Sequence, residues 1–117
     1  MTTTSSLHDG ILFMRLAGDL VGPPDTALLV QTVDDHLSAA VISCAIDLSE
    51  LRYINSTGIG TLISLLTKFR TRGGEMVLIN PADHPHKLLA LTKLSNIFSV
   101  APTEAAARQQ LLTAASS

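Results

Sequence analysis

The stretch Val41-Ile42-Ser43-Cys44-Ala45-Ile46-Asp47-Leu48-Ser49-Glu50-Leu51-Arg52-Tyr53-Ile54-Asn55-Ser56-Thr57-Gly58-Ile59-Gly60 decides the fold of this chain. It opens with a continuous apolar run, Val41 to Ile46, as expected of a central strand covered on both faces. The run ends at Asp47-Leu48, and Ser49 to Ile54 reads as a loop. A helix should follow, beginning near Ser56 or Thr57 behind a capping Asn55 or Ser56. Ile59, Leu62, Ile63, Leu66 and Phe69 form its apolar stripe, and Gly73-Gly74 ends it.

Outward from this stretch the same alternation continues in both directions. Upstream, Asp9-Gly10 is a favoured two-residue hairpin turn. It joins a weak strand over Thr3 to Leu7, expected to lie at an edge, to a strong one over Ile11 to Leu16. Gly18 to Pro24 breaks regular structure, and Asp25 suits the N-cap of a helix to about Ser38. Leu29, Val30, Val33 and Leu37 mark its buried face. Downstream, Met76 to Ile79 reads as a third buried strand and Asn80 to His86 as a loop. Asp83 is a candidate cap for a helix through Leu94. Ile97 to Val100 is a last short strand, and Pro102-Thr103-Glu104 opens a terminal helix carrying Leu111 and Leu112. The predicted fold class is α/β. A mixed, mostly parallel sheet of about five strands, starting with an N-terminal hairpin, is flanked by four helices in a single domain over 1–117. In such sheets function gathers at the carboxyl ends of the strands, here the segment 49–60.

Composition narrows the function classes. A length of 117 residues with 46% hydrophobic residues supports one packed core, built from aliphatic side chains because aromatics are 3%. A net charge of -2 offers no basic field for a phosphate backbone, so nucleic acid is not an expected partner. The single cysteine, Cys44, allows no internal disulfide and reads as a buried, inert thiol. No apolar stretch reaches the ~20 residues of a membrane span, and Met1 to Ser6 lacks the features of a secretion signal. The expected location is the cytoplasm, with no membrane partner.

Asn55 to Gly60 fails the common chemical templates. A phosphate-binding P-loop needs Lys-Ser or Lys-Thr after its glycines, a dinucleotide fingerprint needs glycine where Ile63 stands, and a nucleophile elbow needs glycine where Ile54 stands. One reading is purely structural: Asn55 or Ser56 caps a helix and the glycines permit close packing. Gly58 and Gly60 each cost a helix about 1 kcal/mol against alanine, which suggests that something else, such as an approaching partner, wants bare backbone there.

The segment Asp47 to Gly60 resembles the STAS domain of bacterial anti-sigma-factor antagonists, whose central strand is followed by Asp-Ser-(Ser/Thr)-Gly-(Leu/Ile)-Gly. Gly18-Asp19-Leu20 is similar to that family's early Gly-Glu-Leu-Asp turn, and Gly73-Gly74-Glu75-Met76 to its approach to the next strand. The resemblance spans nearly the whole chain. It implies a binding switch rather than an enzyme, with no cofactor. Ser56 would be the phosphoacceptor, and Asn55, Thr57, Gly58, Ile59 and Gly60 the partner-facing switch loop. The implied partners are an anti-sigma factor that is also a serine kinase, and a phosphatase that resets the switch; the chain itself would be a monomer or weak dimer. Two positions depart from the pattern: Asn55 replaces the Asp before the acceptor, and Val21 replaces the Asp after the early turn. A scaffold or sensor protein of the same fold, without regulated phosphorylation, is the alternative these departures keep open.

Other candidates read blandly. His84-Pro85-His86 lacks a third metal ligand and reads as exposed imidazoles in a loop, so no metal site is expected. His8 and His36 are isolated. Asp34-Asp35 point to different faces of a helix, and the chain lacks the acidic pair of a phosphoaspartate receiver.

Overall fold

Asp9 and Gly10 both adopt positive φ, 54° and 75°, and turn the chain tightly back on itself. The two strands they join, β1 (Thr2–His8) and β2 (Ile11–Leu20), pair antiparallel with His8 opposite Ile11. In this computed structural model, which describes residues 1–116, the remaining elements alternate as the sequence predicts. Ser117, the last residue of the expected domain, lies outside the described residues. They are α1 (Asp25–Ser38), β3 (Ser43–Ile54), α2 (Ser56–Thr71), β4 (Glu75–Ile79), α3 (Asp83–Leu91), a short 3-10 turn (Leu94–Asn96), β5 (Ser99–Ala101) and α4 (Glu104–Ser116). The sheet order is β1-β2-β3-β4-β5, parallel throughout except for the β1–β2 hairpin. The α/β class, the mixed five-stranded sheet and the four helices are as expected.

Alternation along the strands divides the core into two layers. Leu12, Met14, Leu16, Cys44, Ile46, Met76 and Leu78 face α1, α2 and α3, where Leu29, Val33, Leu62, Leu65, Leu66, Phe69 and Leu89 meet them. Ile11, Phe13, Ala45, Val77, Ile79 and Ala101 face the other way, against Ala107 and Leu111 of α4. Each such aliphatic side chain, fully removed from water, contributes about 1.5–3 kcal/mol. Ile63, expected on the stripe of α2, is half-buried, and Leu65 takes the deeper position. Cys44 is fully buried, and desolvation pushes its thiol far above the ordinary range, leaving it protonated.

Several boundaries differ from expectation. The segment Ser49 to Ile54 is strand, not loop, and β2 runs on through Gly18 to Leu20 to pair with it. The 12-residue β3 is two residues longer than the 10-residue β2 because it carries two bulges. One falls between the pairs Arg15–Asp47 and Ala17–Glu50, the other between Gly18–Leu51 and Asp19–Tyr53, which leaves Arg52 unopposed. Asp25 is the first residue of α1, behind Pro24, rather than its cap. Asp83 is likewise the first residue of α3, so His84-Pro85-His86 lie in its first turn instead of a loop. That helix stops at Leu91, before Lys93 takes φ of 61°.

Candidate functional site

Leu20 and Ile54 are register partners at the ends of β2 and β3, so the residues after them, Val21 and Asn55, are neighbours. Asn55 uses this position fully. Its backbone is extended, and its Oδ1 accepts the N–H of Gly58 at 2.9 Å, capping α2. Its Nδ2 donates to the carbonyl of Val21, also at 2.9 Å, and its backbone N–H donates to the carbonyl of Leu20 at 3.4 Å. One side chain thus ties the start of α2 to the end of β2. A carboxylate here would keep the cap and lose the bond to Val21, since it has no N–H to donate.

Ser56 and Thr57 follow as the first two residues of α2, both exposed. Their N–H groups belong to the first turn, where no carbonyl of the helix reaches them, and that turn holds no acidic residue. Gly58 and Ile59, expected to face a partner, are buried. A Cβ on Gly58 would drive into the carbonyl oxygen of Leu20 and lie 2.7 Å from Cγ1 of Ile54. The close approach that demands bare backbone is therefore made by the protein's own β2. Gly60 is exposed, and a Cβ there would meet nothing within 4 Å. The surface at this edge is formed by Ser56, Thr57 and Gly60, with Asn55 half-buried beneath them.

Around them stand residues that sequence reasoning did not assign to the site. Tyr53, at 46% exposure, stacks on the imidazole of His84 with ring centroids 4.5 Å apart and planes 21° from parallel. Nδ1 of His84 in turn accepts the N–H of Ile54 at 3.4 Å, so α3 buttresses the end of β3. The two residues are 31 positions apart, and neither sits in a spaced motif; the one hint is a single tyrosine among the polar residues before Asn55. Val21, 44% exposed, adds an apolar side chain beside Asn55. The unopposed Arg52 reaches across to Asp19, with Nε 3.0 Å and a terminal nitrogen 3.1 Å from its two oxygens. That guanidinium holds the Asp19 carboxyl below the ordinary aspartate range. Among the described residues no group of three or more His, Cys, Asp or Glu is placed to hold a metal ion, and no helix is long and apolar enough to cross a membrane.

The arrangement offers an exposed hydroxyl on a rigidly capped helix start at the carboxyl edge, with no base hydrogen-bonded to it among the described residues. An anti-sigma-B factor antagonist of Listeria monocytogenes is 36% identical over 59 residues, which is 50% of this chain and 52% of that protein, so the matched region spans about half of the relative's length. An anti-sigma F factor antagonist of Paenibacillus polymyxa is 24% identical over 104 residues, 89% of each chain. The structure of the Bacillus cell fate determinant SpoIIAA in its phosphorylated form superposes with a TM-score of 0.74 at 18% identity, covering 93% of this chain and 98% of that one. The STAS domain family matches residues 5–107, most of the length of the chain. This chain belongs to the STAS domain family.

Proposed function

We propose that this protein is an anti-sigma-factor antagonist, a binding module rather than an enzyme, whose affinity for its partner is switched by phosphorylation of Ser56. The observation that carries the reading is the placement of Ser56: exposed, first in α2, on the carboxyl edge of the central strand β3. A phosphate there adds roughly -1.5 to -2 charges. It meets the free N–H groups and positive dipole end of a helix whose first turn has no carboxylate to repel it. The fold therefore accepts the modification, and its effect falls on whatever docks against Ser56, Thr57, Gly60 and the flanking Val21 and Tyr53. Unmodified protein binds an anti-sigma factor and frees the sigma factor; phosphorylated protein releases it until a phosphatase resets the hydroxyl. Names of relatives that are anti-sigma factor antagonists support this role.

The partner is an anti-sigma factor with serine-kinase activity, and the acceptor is Ser56 rather than Thr57. Phosphopeptide mapping after incubation with such a kinase and ATP tests both statements. Modification at Ser56 that disappears in Ser56→Ala is the expected result; modification unchanged in Ser56→Ala overturns it. Asn55 favours one variation. Its amide bond to Val21 needs the N–H that the usual aspartate lacks, so the loop after β2 is held by a neutral contact. A cognate kinase adapted to Asn55 would then phosphorylate Asn55→Asp more slowly than the unaltered chain.

A further inference from the structure

β1 (Thr2–His8) is one edge of the sheet, and all seven of its residues are exposed. Proteins ordinarily blunt such edges with lysine, proline, a bulge or a very short strand. β1 has none of these: TTTSSLH contains no lysine or proline, and its pairing with β2 runs through seven register positions without a shift. The two-residue turn at Asp9-Gly10 makes His8 and Ile11 a mutually hydrogen-bonded pair. Strict alternation then turns the N–H and C=O groups of Leu7, Ser5 and Thr3 outward, away from β2.

We propose that β1 pairs antiparallel with β1 of a second copy of this chain, about a two-fold axis at Ser5, joining two sheets edge to edge. In that register the outward-facing residues meet one another. Ser5 faces Ser5 of the second copy, and Thr3 and Leu7 face Leu7 and Thr3, which closes about six backbone hydrogen bonds. Thr4 falls opposite Ser6 and Thr2 opposite His8, so hydroxyl-bearing pairs dominate and no two like charges oppose. The side chains add a second, independent fit. Leu7 and Thr3 lie on the same face of β1 as the core beneath α1, since their partners on β2 are Leu12 and Leu16. Leu7 is 51% exposed there. Thr3 borders a depression of about 220 Å³ whose lining includes Leu28 and Leu29 of α1, with Leu28 62% exposed. The two-fold sets Leu7 of each copy beside Thr3 of the other, and so against this depression and Leu28. The apolar knob and its receptacle are on the same molecule in complementary places, which selects a second copy over a foreign strand.

Sedimentation velocity over a concentration series up to the millimolar range tests the proposal. The expected mass rises toward twice the 12.4 kDa chain. Ser5→Lys sets two ammonium groups opposite each other, and Ser5→Pro removes an outward N–H without touching the ladder to β2. Both should sediment as single chains with an unchanged circular dichroism spectrum. Leu7→Ser, at an exposed side chain, should weaken association at least tenfold, and it keeps the test open if a change in β1 unfolds the chain. A single-chain mass at every concentration overturns the proposal, as does association that all three variants leave intact.

Discussion

Gly58 and Gly60 occupy the same turn of α2 and have opposite surroundings. Any side chain at Gly58 collides with the carbonyl of Leu20, backbone that pairs with Ile54 of β3 and accepts the Asn55 N–H, and that cannot yield as a side chain would. Gly58→Ala should cost about 1–3 kcal/mol of stability, in line with overpacking at a closed site. Gly60 borders open space, so Gly60→Ala should stabilise the helix by up to about 1 kcal/mol. Urea denaturation of both variants checks the contrast; equal shifts of the same sign would contradict the placement. Asn55 makes a comparable case through hydrogen bonds. Asn55→Ala removes the cap and the bond to Val21 together, and should cost about 2 kcal/mol. Asn55→Asp keeps the cap and loses the second bond, so it should fall between the two, with a loss of about 1 kcal/mol or less. A loss in Asn55→Asp as large as in Asn55→Ala would mean that the cap itself is unimportant. The capping role was legible from the residue type and its place before a helix. The bond to Val21 was not, because it joins residues 34 positions apart through a backbone carbonyl that no side-chain pattern reports.

At the scale of elements, β3 shows where periodicity misleads. Its buried residues from the first bulge onward are Leu48, Leu51 and Ile54, three apart instead of two, because each bulge inserts one residue. Ser49, Glu50, Arg52 and Tyr53 between them are exposed, and a stretch with that spacing matches neither strand nor helix templates. The uninterrupted run from Val41 to Ile46 and the stripe of α2 obey their templates, and those elements were legible. The second bulge also places Arg52 over Asp19. Asp19 prefers its charged form in the folded state, so the pair's stabilising effect is present above the unfolded carboxyl's pKa. It fades as pH falls through the lowered folded value. A carboxyl-carbon NMR titration should find Asp19 titrating below ordinary aspartates, and Arg52→Ala should move it upward. Because the pair is exposed and screened by solvent, the same variant should leave overall stability nearly unchanged. An unchanged Asp19 midpoint would show that the contact does not persist in solution.

For the whole molecule, the two layers of core have different tasks. α4 covers one face of the sheet, while α1, α2 and α3 cover the other, leaving the start of α2 at the carboxyl edge. Stability comes from the aliphatic layers, and the exposed Ser56 side chain makes no hydrogen bond to the described residues. A negative charge at Ser56 should therefore leave the fold within about 1 kcal/mol of the unmodified chain, in the favourable direction given by the helix start. On the proposed function, its consequences should fall on a partner docked against Thr57, Gly60, Val21 and Tyr53. The decisive measurement is calorimetric titration of a serine-kinase anti-sigma factor with the unmodified chain and with Ser56→Asp, paired with thermal melts of both proteins. The account predicts at least tenfold weaker binding by Ser56→Asp with its melting essentially retained. Equal affinities, or a lost affinity that tracks a collapsed melting temperature, would contradict it.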